Sequence, residues 1–292
     1  MESWPQTGTG LAVIGHPIGH SLSPQMHNAA LAGLAREDSR FAGWRYDAFD
    51  VEPDRLRAAL DLMRERKFRG VNLTVPHKVL AVGMVASLDP GALEAGAVNT
   101  LLSDGQGWRG YNTDGYGIAT GVREELGIDL HGTSVVLLGA GGAARGVAVE
   151  CLRAGCAGLW IANRTRPNLD SLIAHLAPLA RGIAVQGIDA GRPEGIPAGA
   201  LIINATSAGL RPADPAPADL AAFRGVGAVY DMIYNPPLTR LLAQARGLGI
   251  PCANGLGMLV HQGARALEIW TGVPSSRTAP VMRAAAAKAL GY

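Results

Sequence analysis

One stretch limits what this chain can fold into more than any other. The apolar run Thr133-Ser-Val-Val-Leu-Leu138 meets Gly139-Ala-Gly141-Gly-Ala-Ala144 and passes into the small residues Ala143 to Ala154. An uninterrupted apolar run reads as a buried strand, the glycines as a tight turn and the remainder as a helix. The spacing is G-x-G-x-x-A. The first glycine permits the turn, the second lets backbone approach a pyrophosphate, and the small last residue lets helix meet strand. The helix then turns its N–H groups and positive dipole end toward the turn. A glycine-rich turn with no ligand is the plainer alternative. The strand–turn–helix context, with the next strand at Leu159-Trp-Ile-Ala162, favours dinucleotide binding.

The cofactor can be narrowed. NAD binders place Asp or Glu about 20 residues on, against the ribose 2′-hydroxyl. Here that strand ends in Asn163-Arg164-Thr165-Arg166, two guanidiniums and no carboxylate. They suit a 2′-phosphate, so NADP is expected. The alternative is that Arg164 and Arg166 are ordinary solvated charges.

A length of 292 residues suggests about two domains at roughly 150 residues each. Basic and acidic residues nearly balance, 26 against 24, with no long run of either sign. That argues against a nucleic-acid or membrane-surface binder, which needs a clustered basic face. No apolar run is long enough for a transmembrane helix. The start Met1-Glu-Ser-Trp-Pro5 lacks the charged and apolar regions of a secretory signal. Cys151, Cys156 and Cys252 form no C-x-x-C, and the seven histidines show no metal-ligand spacing. No disulfide framework and no metal are expected, and a cytoplasmic location is.

Elsewhere strands and helices alternate. Gly10 to Ile14, Trp44 to Ala48 and Gly70 to Val75 read as strands, as do Ala200 to Ile203 and Gly227 to Tyr230. Helices are expected from Ser23 to about Ala35, with Ser23 as N-cap, and from Asp54 to Arg66. The pattern implies parallel sheets covered on both faces. Residues 255–290 read as helix without a strand, so they must pack on something, and the first domain is a candidate.

The first third carries polar residues where apolar ones are the rule. Ser21 and Ser23 stand two apart before a helix and suit an anionic oxygen group; otherwise they are a cap and a loop hydroxyl. Asn72 and Thr74 share one strand face, while Val71, Leu73 and Val75 take the other. A polar face near a strand's carboxyl end suggests a cleft, and Lys78 lies just past that end. Only three of the 26 basic residues are lysine. Lysine can exchange a proton, whereas arginine cannot. Asn99 and Asp114 add an amide and a carboxylate, although Asp114 also suits a helix cap. Gln262 lies on a stripe with Leu259, Ala266 and Ile269, either as a core amide or as a ligand contact.

Together these residues resemble the shikimate dehydrogenase family over nearly the whole chain. The resemblance rests on motifs in order: Gly15-His-Pro-Ile-Gly-His-Ser-Leu-Ser23-Pro, Asn72-Leu-Thr-Val-Pro-His-Lys78, Gly96-Ala-Val-Asn99-Thr, Asn112-Thr-Asp114-Gly, Gly139-Ala-Gly-Gly-Ala143, Asn163-Arg-Thr165, Asn204-Ala-Thr-Ser207, Tyr230-Asp-Met-Ile-Tyr234 and Gly255-Leu-Gly-Met-Leu-Val-His-Gln262.

The resemblance implies an α/β fold of two domains. An N-terminal substrate domain would span 1–114, with helices of 255–292 packing back on it. A doubly wound Rossmann-type NADP-binding domain would span 115–254. The implied reaction is reversible reduction of 3-dehydroshikimate to shikimate by NADPH in aromatic amino-acid biosynthesis. The catalytic pair would be Lys78 and Asp114. The substrate carboxylate would meet Ser21 and Ser23, with Tyr234 nearby; ring hydroxyls would meet Thr74, Asn99 and Gln262, with Asn72 close. Cofactor contacts would fall on Gly139, Ala140, Gly141, Gly142, Ala143, Asn163, Arg164, Thr165, Arg166, Thr206, Met232 and Gly255.

The implied partners are the small-molecule substrate and NADP, with no nucleic acid or membrane, in a monomer or homodimer. Two positions depart from the family pattern. Asn168 stands where a basic residue is frequent, and Asn254 where Asp commonly precedes Gly255. A quinate or dual quinate/shikimate dehydrogenase using NAD is the nearest alternative. A catalytically silent NADP-binding module is the alternative from another class.

Overall fold

The computed structural model describes residues 10–211 and 213–291. The start Met1 to Pro5, on which the expected lack of a secretory signal rests, lies outside the described residues. The chain divides into two compact units, Met1–Thr113 with Val260–Tyr292, and Asp114–Leu259. No helix among the described residues is long and apolar enough to cross a membrane.

The first unit begins β1 (Gly10–Gly15), α1 (Ser23–Glu37), β2 (Arg45–Asp50), α2 (Leu56–Glu65), β3 (Gly70–Leu73) and α3 (His77–Leu80). It continues through β4 (Ser87–Leu88), α4 (Pro90–Ala95), β5 (Thr100–Ser103) and β6 (Trp108–Tyr111). The sheet order is β2-β1-β3-β5-β6-β4. β1 pairs parallel with β2 and β3, but β5 runs antiparallel to both β3 and β6. This corrects the expectation of a wholly parallel sheet. The link between β5 and β6 is too short for a crossover. Asp104 closes it by accepting from the backbone N–H groups of Gln106 and Gly107, each at 3.0 Å.

β3 also ends at Leu73, two residues earlier than expected, and Val75 is exposed rather than packed. Val71 and Leu73 do share the core face with Ala12, Ile14, Leu56, Leu60 and Met63, which leaves Asn72 on the opposite face. Ser23 corrects another expectation. It is the first residue of α1, Leu22 is the N-cap, and no side chain caps the helix.

The second unit comprises α5 (Asp114–Leu126), β7 (Ser134–Leu138), α6 (Gly142–Ala154), β8 (Gly158–Ala162), α7 (Arg166–Leu176) and β9 (Val185–Ile188). It continues through β10 (Leu201–Asn204), β11 (Ala228–Asp231), α8 (Arg240–Gly247) and β12 (Cys252–Asn254). All pairings are parallel, in the order β12-β11-β10-β7-β8-β9. Numbered from β7, the order from the other edge is 3-2-1-4-5-6, the doubly wound dinucleotide-binding arrangement.

α9 (Leu256–Thr271) contains the second division between the units, and α10 (Ser275–Leu290) follows. α10 packs along α1, so the C-terminal helices return to the first unit. Trp270 fixes the return by donating from Nε1 to the Leu101 carbonyl at 2.8 Å. Gly70 makes room for it, since a Cβ there would stand 2.1 Å from that nitrogen. The buried stripe of α9 is Val260, Ala264, Leu267 and Trp270. Of the expected stripe only Ala266 is fully buried; Leu259, Gln262 and Ile269 are half-buried.

His27 of α1 is fully buried, with its ring stacked on Tyr46 at 4.0 Å between centroids. Its Nδ1 donates to the Ser23 carbonyl at 2.9 Å. Burial penalises the imidazolium and pushes the pKa from 6.5 down to about 4. The unfolded chain therefore binds more protons between these values, and stability falls as pH drops from about 6.5 to about 4. The loss amounts to about 3 kcal/mol. Denaturant unfolding of His27→Phe, which keeps a stacking ring, is expected to show a correspondingly shallower acid loss; an unchanged pH slope would exclude His27 as its source.

Candidate active site

Six of the seven residues expected to meet substrate, together with Tyr46, Thr100 and Thr113, lie in the first unit, and three of the six, Asn72, Asn99 and Gln262, join these in one connected set. The Tyr46 hydroxyl donates to Asn72 Oδ1 at 2.7 Å. Asn72 Nδ2 donates to the Asn99 carbonyl and to Thr100 Oγ1, both at 3.0 Å. Asn99 Oδ1 accepts from the Thr113 backbone N–H at 2.8 Å and from Thr100 Oγ1 at 3.0 Å. Asn99 Nδ2 donates to Thr113 Oγ1 at 2.9 Å and reaches Gln262 Oε1 at 3.5 Å. Asn72 and Asn99 are buried, and the Asn72 amide spends both its N–H bonds inside the protein. Asn72 therefore supports its neighbours and has no donor left for a ligand.

Thr74, outside that set, follows β3, half-buried, with its backbone N–H on the Ile14 carbonyl at 3.0 Å. The serines stand just before and at the start of α1. Ser21 Oγ accepts from the Ser23 N–H at 3.3 Å. Ser23 does not cap α1; its buried side chain is hydrogen-bonded to Tyr46 instead.

Lys78 is the second residue of α3 and is half-buried. Such a short helix cannot hold itself. Buried His77 pins it by donating from Nε2 to the Val51 carbonyl at 2.8 Å. The Val98 N–H closes on the Lys78 carbonyl at 2.7 Å. The lysine is thus placed just after the Asn72–Thr74 segment by two locks on its backbone. Asp114, fully buried, opens α5 and is assigned to the second unit.

In the second unit, Gly139 leaves β7 with φ of +117°, which L side chains rarely adopt. A Cβ there would stand 3.0 Å from the Ala205 carbonyl oxygen. Gly141 is the N-cap of α6, has no side-chain cap, and faces no atom within 4 Å of where a Cβ would be. Open space over an uncapped helix start fits the pyrophosphate of a dinucleotide. Ala140 is buried in the turn, and Gly142 and Ala143 begin the helix. The turn lies between the paired strands β7 and β10, whose onward connections run to opposite halves of the sheet, the usual crevice for ligands in such sheets.

Past β8, Asn163 Nδ2 donates to the Thr165 carbonyl at 2.8 Å and shapes the loop. Arg164 is exposed and in no ion pair among the described residues. Arg166, by contrast, is held by Asp170 one helical turn on, at 2.9 Å. The two arginines are therefore not equivalent, and Asn168 adds no charge. Asn254 Oδ1 accepts from the Leu256 N–H at 3.0 Å, and its Nδ2 donates to the Pro237 carbonyl at 3.2 Å. The second bond explains an amide there, because a carboxylate has no N–H to give.

Thr206, Met232, Tyr234 and Gly255 all lie in the second unit, whereas the serines belong to the first. Two residues without an assigned role underlie them. Asn204 ends β10 and Asp231 ends β11, side by side in register and both fully buried. Burial raises the Asp231 pKa, while hydrogen bonds from Thr239, Ile233 and Asn204 pull it back. The signal was available in the sequence: two successive apolar strands each end on one polar residue. No group of three or more His, Cys, Asp or Glu among the described residues could hold a metal ion.

The chain is similar to known proteins over most of its length. Residues 13–101 match the shikimate dehydrogenase substrate binding domain, and residues 255–286 the shikimate 5'-dehydrogenase C-terminal domain. The chain is 44% identical to a shikimate dehydrogenase (NADP(+)) of Moorella thermoacetica, over 94% of this chain and 91% of that one. It is 42% identical to its counterpart in Symbiobacterium thermophilum, over 97% and 95%. Among solved structures it resembles a shikimate dehydrogenase in complex with NADP+, with TM-score 0.83, 35% identity, and 97% and 96% of the two chains covered. The enzyme of Thermus thermophilus in complex with shikimate gives 0.81, 36%, 97% and 99%.

The two glycines of the turn separate fold from ligand. Gly139→Ala is expected to lose about 1–3 kcal/mol of unfolding free energy through backbone strain. Gly141→Ala is expected to lose under about 1 kcal/mol, the cost of a glycine N-cap. Denaturant titration checks both, and equal losses would contradict the geometry.

Proposed function

The chain belongs to the shikimate dehydrogenase family, and from that premise we propose how its residues carry out the NADP-dependent interconversion of 3-dehydroshikimate and shikimate. Bound NADPH supplies the hydride, and the protein supplies position, charge and a proton. Negative charge builds on the ketone oxygen as it is reduced. The Lys78 ammonium stabilises that oxygen and delivers the proton, with Asp114 as its acid–base partner. Ser21 and Ser23 hold the substrate carboxylate, with Tyr234 nearby. Thr74, Asn99 and Gln262 take the ring hydroxyls, with Asn72 holding Asn99 in place. The observation that supports this reading is the double lock on the Lys78 backbone, by His77 on Val51 and by the N–H of Val98, the residue before Asn99.

On the cofactor side the turn from Gly139 to Ala143 cradles the pyrophosphate. Asn163 and Thr165 shape the ribose end. Arg164, exposed and outside any ion pair among the described residues, reads the 2′-phosphate, while Arg166 contributes less because Asp170 holds it. Thr206, Met232 and Gly255 line the nicotinamide end. A cytoplasmic location is consistent with three cysteines that form no disulfide.

Lys78→Ala is expected to lower kcat at least about a hundredfold with a modest change in KM, since the interaction grows in the transition state. Steady-state kinetics check this, and a near-normal kcat would remove Lys78 from the mechanism. Arg164→Ala is expected to raise the KM for NADPH far more than that for NADH. Equal losses would mean that Arg164 does not read the 2′-phosphate. Comparing kcat/KM for shikimate and quinate with each cofactor separates this reading from a quinate-linked enzyme using NAD: preference for quinate with NAD would overturn it.

A further inference from the structure

The geometry points to Asp231 as a positioning residue for the cofactor half of the reaction: its carboxylate sets the direction of the Asn204 amide and, through it, the Thr206 loop. The proposal rests on the reading that Thr206 and the glycine turn hold NADP.

Asp231 Oδ1 accepts from Asn204 Nδ2 at 2.9 Å and from the Ile233 N–H at 3.1 Å. Its Oδ2 accepts from Thr239 Oγ1 at 2.6 Å. Three donors converge on two acceptor oxygens in a fully buried place, and only a carboxylate accepts on both sides. With its nitrogen turned to Asp231, Asn204 must turn Oδ1 the other way. That oxygen accepts from the Thr206 N–H at 3.0 Å and from Thr206 Oγ1 at 2.7 Å. Thr206 Oγ1 in turn accepts from the Ala208 N–H at 3.1 Å. The backbone adds two ties: Ala205 N–H on the Leu138 carbonyl at 2.8 Å, and Met232 N–H on the Asn204 carbonyl at 3.0 Å. The loop built this way is the wall of the dinucleotide turn, since atoms of Ala205 and Thr206 are the nearest to a Cβ placed on Gly139.

Asp231→Asn keeps the shape and offers a single acceptor. Either the Thr239 hydroxyl then loses its acceptor, or Asn204 Nδ2 and the Ile233 N–H lose theirs; in the second case Asn204 Nδ2 keeps only the Ala208 carbonyl at 3.4 Å, and reversal of its amide strips Thr206 of its acceptor. A paired exchange, Asn204→Asp together with Asp231→Asn, restores the 204–231 bond: the carboxylate introduced at position 204 would accept from Thr206 and from the new amide, while the Ile233 N–H, which shares that Asp231 oxygen, loses its acceptor.

The test uses the full chain and NADPH itself. Nicotinamide fluorescence gives the Kd for NADPH, kinetics give the KM for shikimate, and thermal unfolding reports the fold. Asp231→Asn is expected to weaken NADPH about tenfold, as loss of one buried charge-assisted bond does, while the KM for shikimate changes less. The paired exchange is expected to recover part of that affinity, the Ile233 N–H remaining unpaired, a non-additivity that general destabilisation does not produce. Unchanged NADPH binding in Asp231→Asn, an equal rise in both constants, or a paired exchange no tighter than the single variant would overturn the proposal. Should Asp231→Asn yield no folded chain, the paired exchange decides alone: a loss of NADPH affinity under about tenfold supports the proposal and a loss of about tenfold or more overturns it. Wild-type chain that binds NADPH but does not oxidise shikimate defeats the functional reading only, because the Kd comparison needs no turnover.

Discussion

A polar side chain buried at the end of a strand must find a partner for every donor and acceptor it carries, or it costs the fold about as much as a well-packed apolar residue contributes. Both units are organised by that requirement. In the first, the Asn72 amide ties Tyr46, Asn99 and Thr100 together, so three segments far apart in the chain share one set of hydrogen bonds. In the second, Asn204 and Asp231 do the same for the loops that follow β10 and β11. In each case the tied segments carry the groups proposed to meet substrate or cofactor. Their positions are thus inherited from buried networks rather than from the loops themselves.

Strand direction puts these networks where chemistry is possible. Every pairing in the second sheet is parallel, so all its strands deliver their carboxyl ends to one edge, and the glycine turn, Thr206 and Met232 follow from those ends. In the first sheet β1, β2 and β3 run together, and the serine loop and the Lys78 turn leave from their shared end. The antiparallel β5 brings Asn99 back beside Asn72, which an all-parallel sheet of this size does not do.

Much of this was legible in the residues. The run into Gly139 and the helix after it held to within a residue, because an apolar strand meeting a glycine at positive φ has few other ways to fold. The polar face at Asn72 was legible as an exception to an apolar rule, but its meaning was not. Partners from Tyr46, Asn99 and Thr100 take up both N–H bonds of the amide, and no local spacing reports them. β5, β6, β9 and β12 escaped notice because each is three or four residues long and mixes polar with apolar positions. Ser23 read as a cap because a serine before proline fits that pattern; the helix instead begins on the serine itself. Arg164 and Arg166 looked alike until the helix placed Asp170 one turn beyond the second.

Adding shikimate and NADP+ to the purified wild-type chain and following absorbance of the reduced nicotinamide is the most direct test of the chemistry proposed for these two units. A steady rise that needs both compounds is the expected result. No rise under conditions in which the chain demonstrably binds NADPH would contradict it.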